Sequence, residues 1–227
     1  MGGWLSYRLG DFVPFTTEVY MRLIERVNEA FWPLQGLTIA LGLAALLLAL
    51  RGYRRLSLVL LALIWIGCAV IFHFGYYGEL NWAASWFGWA FIVEALLLLI
   101  VAALSADSRP GRPLGRLRII VAAALAAIGT IAYPFVAVVA GSGWTNAEII
   151  GLHPDPTAIA TLGVLLLARR GAILACLITI PAAACLLGTL TLIPLDIAWA
   201  PLPVAAVIAC LLTLTLDAVV RRRGAAG

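Results

Sequence analysis

The order of apolar and polar positions along the chain predicts a row of membrane segments preceded by one amphipathic helix. Apolar runs cover 34–50, 56–77, 83–104, 119–140, about 150–168, 171–193 and 198–219, separated by charged or Gly/Pro-containing breaks. Seven segments follow, most of them close to the roughly 20 residues that cross about 30 Å of hydrocarbon. Upstream, TTEVYMRLIERVNEAFW (16–32) places Tyr20, Leu23, Ile24, Val27, Ala30 and Phe31 at helical spacing, with Glu18, Arg22, Glu25, Arg26 and Glu29 on the other side. Thr16 is the expected N-cap, and Trp32 with Pro33 marks the exit into the first segment. This helix is expected to lie flat on the outer membrane surface or to cover the outer mouth of the bundle.

The breaks alternate in charge. Arg51, Arg54 and Arg55 follow the first segment, Arg109, Arg112, Arg116 and Arg118 the third, Arg169 and Arg170 the fifth, and Arg221, Arg222 and Arg223 the seventh. The intervening breaks carry no Arg and hold Glu79, Glu148, Asp155 and Asp196 instead. The positive-inside rule then places the N-terminus outside and the C-terminus in the cytoplasm. The expected fold is an all-α integral membrane bundle of about seven transmembrane helices. It divides into an N-terminal segment (1–33), a transmembrane domain (34–219) and a cytoplasmic tail (220–227).

Composition agrees with a bilayer as the solvent. Of 227 residues, 64% are hydrophobic and 11% charged, against about 25% charged in an ordinary soluble domain. The mean hydropathy is +1.07. Nucleic acid is excluded as a partner, despite a pI of about 9.1. All 15 basic residues are Arg, which excludes any Schiff-base chemistry. Cys68, Cys176, Cys185 and Cys210 lie in apolar runs without C-x-x-C spacing and read as small buried hydrophobes. The first residues lack the basic start and long apolar core of a cleaved signal, so they are expected to stay on the chain.

Candidate chemistry gathers at three places. Glu94 sits in the third segment with apolar sequence on both sides. A carboxylate at that depth must be protonated, paired or wet, and it is the first candidate for a proton or cation site. Phe87, Ala90, Phe91 and Leu98 share its face, whereas Trp82, Trp86 and Trp89 form a separate stripe that reads as an aromatic belt. The fifth segment, IIGLHPDPTAIATLGVLLLARR, carries two prolines before a helix expected from about Thr157 to Ala168, too short to cross. Its HPDP stretch is expected to dip inward, with Asp155 or Thr157 as cap and Thr157 and Thr161 on one face. His73, His153, Glu79 and Asp155 form a nitrogen and oxygen set suited to a divalent metal, although no diagnostic spacing joins them, and no cofactor is expected. Asp217 sits one turn from Arg221 and reads as a snorkelling or paired membrane-end residue. Gly36, Ala40 and Ala44, and Ala122 and Ala126 with Thr130, read as close-packing faces.

The strings FTTEVYMRLIERVNEAFWPLQ, FHFGYYGELNWAASWFGWAF and HPDPTAIATLGVLLL, in this order, resemble a family of uncharacterised prokaryotic polytopic membrane proteins known as a domain of unknown function. The resemblance implies a bacterial inner-membrane protein and supplies no activity. Three classes of function stay open. The chain binds or translocates a small solute, a cation or a proton-coupled molecule, through an outward-facing cavity with Glu94, His73, Asp155, Thr157 and Thr161 as site candidates. Alternatively it is an accessory or assembly subunit, packed against another membrane protein or a second copy. An intramembrane enzyme using His153 and Asp155 is the third class, for which no nucleophile and base pair is evident.

Overall fold

The computed structural model describes residues 13–104 and 114–223, so Arg109, Arg112 and residues 224–227 of the tail lie outside the described residues. The described residues are helical throughout, apart from the connections. Helix α1 (Thr17–Ala30) is bent by 91° against α2 (Leu34–Leu50). Next come α3 (Arg54–Cys68), which continues as a π-helix over Ala69–Tyr76, and α4 (Ala84–Leu104). Helix α5 (Arg116–Ala127) runs through a second π-helical stretch (Ile128–Ala132) into α6 (Tyr133–Val139). The chain ends in α7 (Pro154–Ala168), α8 (Gly171–Leu192) and α9 (Pro201–Arg223). Five of these stretches are long and apolar enough to cross a membrane, and a sixth is added if the bent α1–α2 pair counts as one span.

Helix α7 lies at the centre. Every residue from Asp155 to Ala168 is buried, and its neighbours are α2, α3, α5, α8 and α9. Its sequence is apolar nearly all round, so other helices can enclose it on every side. Gly163 permits its approach to α5: a Cβ there would run into Ala126 N and Ala122 O. Ala122 and Ala126 therefore act as the close-packing face their spacing predicts. On α2 the outcome differs, since Gly36 and Ala40 are exposed and the inward positions are Gly42, Ala45 and Ala49.

The fifth segment corrects its expected start. The helix begins at Pro154, three residues before Thr157, with His153 in the N-cap position and no side-chain cap bond. Prolines 154 and 156 fall in the first turn, where an N–H has no intrahelical acceptor and its loss costs little. Neither Asp155 nor Thr157 caps. Thr157 Oγ1 instead donates to His153 O (2.7 Å) and accepts from Gly151 N (2.7 Å), tying the preceding turn onto the helix. Residues 147–153 are buried although irregular, as non-helical backbone within a bundle must be.

The opposite end of α7 is held by Arg118, which is 3% exposed in its side chain. Its guanidinium donates to Leu166 O (2.9 Å), Arg169 O (2.7 Å) and Asp217 (2.7 Å). It closes the carbonyl end of α7 and pairs α5 with α9 in one fork. Asp217 thus takes a partner from another helix, Arg118 on α5. Cys68, Cys185 and Cys210 are buried as expected, whereas Cys176 faces outward from α8.

Candidate functional site

At the end of the bundle away from Arg118, α1 lies across the helix ends. Thr16 accepts from Val19 N (3.5 Å), so it caps α1 as its position predicts. Tyr20, Leu23, Ile24 and Val27 are buried beneath the helix, and Asn28 joins them where Ala30 was expected. Thr17 Oγ1 donates to Leu195 O (2.7 Å), and Arg26 pairs with Glu79 (3.2 Å), both side chains about half exposed. The helix therefore covers the mouth of the bundle.

Beneath α1 is a cavity of about 160 Å³. Its inner wall is Tyr20 from α1, Phe72 and His73 from the π-helical end of α3, Tyr77 from the turn that follows, and Asp155 from the first turn of α7. Its outer wall is Phe87, Ala90 and Phe91 on α4 and a stripe of α8 from Thr179 to Thr191. The inner wall is buried, while Thr179, Ala183 and Leu187 on α8 are exposed. The opening therefore lies sideways, between α4 and α8, part-way along both helices.

The polar groups of this region are short of partners. Asp155 Oδ2 accepts from the Tyr133 hydroxyl (3.4 Å), and Oδ1 has no hydrogen-bond partner. Gly188 faces it so closely that a Cβ there would overlap the carboxylate. Neither nitrogen of His73 is hydrogen-bonded, and its ring is set among aromatics, with the Phe91 centroid at 4.5 Å and Tyr77 at 6.1 Å. His153 lies behind Phe72 (5.6 Å): Nδ1 accepts from Ile149 N (2.9 Å) and Nε2 is unpaired. Glu148 accepts from Trp199 Nε1 (3.3 Å) through one oxygen only. Burial raises its carboxyl well above the ordinary value of 4.5, the nearby Asp155 charge adds to the rise, and the Trp199 bond opposes it.

Of the residues singled out from sequence, His73 and Asp155 meet in one cavity. Thr157 and Thr161 stack on α7 as expected but serve the scaffold: Thr161 Oγ1 donates to Thr157 O (2.8 Å) and accepts from Trp65 Nε1 (2.8 Å). Glu94 is wholly buried and neither oxygen is hydrogen-bonded, but it does not line the cavity; Phe91, three residues before it, does. The metal set does not assemble. Glu79 is half exposed on Arg26, and among the described residues no three His, Cys, Asp or Glu side chains converge as metal ligands. Tyr20, Tyr133 and Gly188 enter the site without having been singled out for it. Tyr20 was legible as apolar-face spacing, whereas the roles of Tyr133 and Gly188 come from contacts across helices that no local pattern announces.

Long apolar helices around a buried central one, with a side cavity walled by an imidazole and a carboxylate, define an all-helical protein compatible with a membrane. A family of unknown function, DUF6064, matches residues 17–223, and the chain belongs to it. No curated protein and no solved structure matches the chain.

Proposed function

We propose that this protein is a multi-pass bacterial inner-membrane protein, N-terminus outside and C-terminus cytoplasmic, that binds and passes a small solute through the cavity beneath α1. The solute has an apolar body and one cationic or hydrogen-donating group. The carrying observation is that Asp155 and His73, both buried, line a largely apolar cavity while Asp155 Oδ1 and both His73 nitrogens lack protein partners. Buried polar atoms of this kind are costly unless something else satisfies them. A volume of about 160 Å³ matches cavities that take a molecule of about benzene size. The exposed stripe Thr179, Ala183 and Leu187 supports access from the bilayer side, between α4 and α8. Glu94, unpaired and three residues beyond Phe91 on α4, is the group that would hold a proton coupled to passage.

The test is thermal unfolding of the detergent-purified chain against a panel of small alkyl and aromatic alcohols. At a hundredfold the dissociation constant a ligand adds about 2.7 kcal/mol. A shift is expected that Ala183→Trp, which fills the opening, and Asp155→Asn both abolish. A shift retained in both variants sinks the reading. A second reading, a subunit packed against another membrane protein or copy, is favoured by Gly36 and Ala40, small residues left exposed on α2. Crosslinking in native membranes through cysteines placed at these two positions tests it, and a chain that stays monomeric there rejects it.

A further inference from the structure

A second cleft, of about 640 Å³, lies on the other side of α1, where the α1–α2 bend meets the second π-helical stretch and the loop before α7. Its polar side chains are held with acceptors to spare. Asn28 Nδ2 donates to both Thr145 O (2.9 Å) and Ala147 O (2.8 Å), which fixes the amide and leaves Oδ1 without a partner. Gln35 Nε2 donates to Asn28 O (2.6 Å), and its Oε1 is likewise unpaired. Thr130 Oγ1, buried in the π-helical stretch, has no partner either. Gln35 is 6% exposed and Thr130 1%, so water does not serve them freely. At the rim stand Glu29 and two exposed indoles, Trp32 and Trp144. Among the described residues no basic side chain lines the cleft.

Two amide oxygens, a carboxylate and indole faces make a set that accepts hydrogen bonds and attracts positive charge. A primary ammonium carries three N–H donors and a full charge, and so matches the set in both respects. We infer that this cleft binds a primary ammonium group, either on a free small amine or at the head of a membrane lipid. The second source is compatible with the cleft's apolar side, where Ile131 and Phe135 are exposed on the outside of the bundle. A quaternary ammonium has the charge without the donors and binds less well, and an alcohol has a donor without the charge.

The experiment measures thermal unfolding of the full chain in two arms: in detergent with ethanolamine or ethylene glycol, and in nanodiscs of phosphatidylethanolamine or phosphatidylcholine. Ethanolamine stabilising in detergent where ethylene glycol does not identifies a free amine as sufficient. Stabilisation confined to phosphatidylethanolamine nanodiscs identifies the lipid head. In either case Glu29→Gln and Trp144→Ala, both at exposed positions and compatible with folding, weaken the effect about fivefold, the loss of one charge partner or one cation–π contact. Both arms use the Ala183→Trp chain, in which the separate α4–α8 cavity is closed, so that the effect read is that of the cleft. The inference is overturned by equal effects of ethylene glycol and ethanolamine together with equal effects of the two lipids, by no effect in either arm, or by an effect that survives both rim substitutions.

Discussion

Arg118 ties α5 to α7 and α9 at its end of the molecule. It is a buried cation with three oxygen partners on two other elements. Removing it leaves Asp217 and two carbonyls without it, a loss of about 3–5 kcal/mol by the measure of broken buried pairs. Arg118→Leu is therefore expected to lower the unfolding temperature in detergent sharply. Arg118→Lys is expected to recover little, since an ammonium cannot span the same fork. A lysine variant as stable as the native chain would refute the forked geometry. Sequence spacing offered Arg221 for Asp217 because i,i+4 pairs are visible along one helix; the α5–α9 contact that supplies Arg118 is not. Glu148 gives a second test at this scale. Its carboxyl holds its proton to higher pH in the folded chain than the ordinary 4.5, so stability is greatest below that value and declines as pH rises through the folded value. Glu148→Gln cannot lose that proton and is expected to flatten the decline of unfolding temperature as pH rises above the ordinary 4.5. Parallel profiles for the two proteins would exclude Glu148 as a source of the slope.

At the scale of elements, the two π-helical stretches flank the start of α7. Ala69–Tyr76 brings Phe72 against His153 and His73 into the cavity, and Ile128–Ala132 sets Gly129 against Pro156 O and the Ala160 backbone. A π turn is wider than an α turn and is found mostly where a helix serves a site. Hydrophobic spacing could not reveal them, since eight or five residues are too few for a change of period to show. It placed the helical segments well and α7's start less well, because prolines at 154 and 156 read as breakers when they open the helix. Gly163→Ala tests the α5–α7 contact: the added methyl meets backbone, which cannot rotate away, and is expected to cost about 1–3 kcal/mol in thermal unfolding. Gly36→Ala, with nothing within 4 Å, is the control and is expected to be neutral or slightly stabilising.

For the whole molecule, the alternation of Arg-rich and Arg-free breaks predicts sidedness. Reporter fusions at the C-terminus and in the 77–83 connection are expected to report the cytoplasm and the outside respectively. Reversed signals would overturn the orientation and, with it, the placing of the α1-covered mouth. Glu94, His73 and Asp155 stood out in the sequence because ionisable groups in apolar runs are conspicuous. Which of them share a cavity depended on the neighbour order of helices, and nothing in the pattern of a single segment contains that order. Apolar sequence all round is shared by α2, α4 and α8, so it does not by itself single out α7 as the central helix.

That central place bears on how the chain is made. Helix α7 leaves the ribosome after α2 to α6 and before α8 and α9, yet it touches both groups. Until it arrives, Trp65 lacks the Thr161 hydroxyl and the small-residue face of α5 has nothing to close on. The earlier helices therefore cannot complete their packing before α7 is made, and α7 itself is enclosed only once α8 and α9 have followed it.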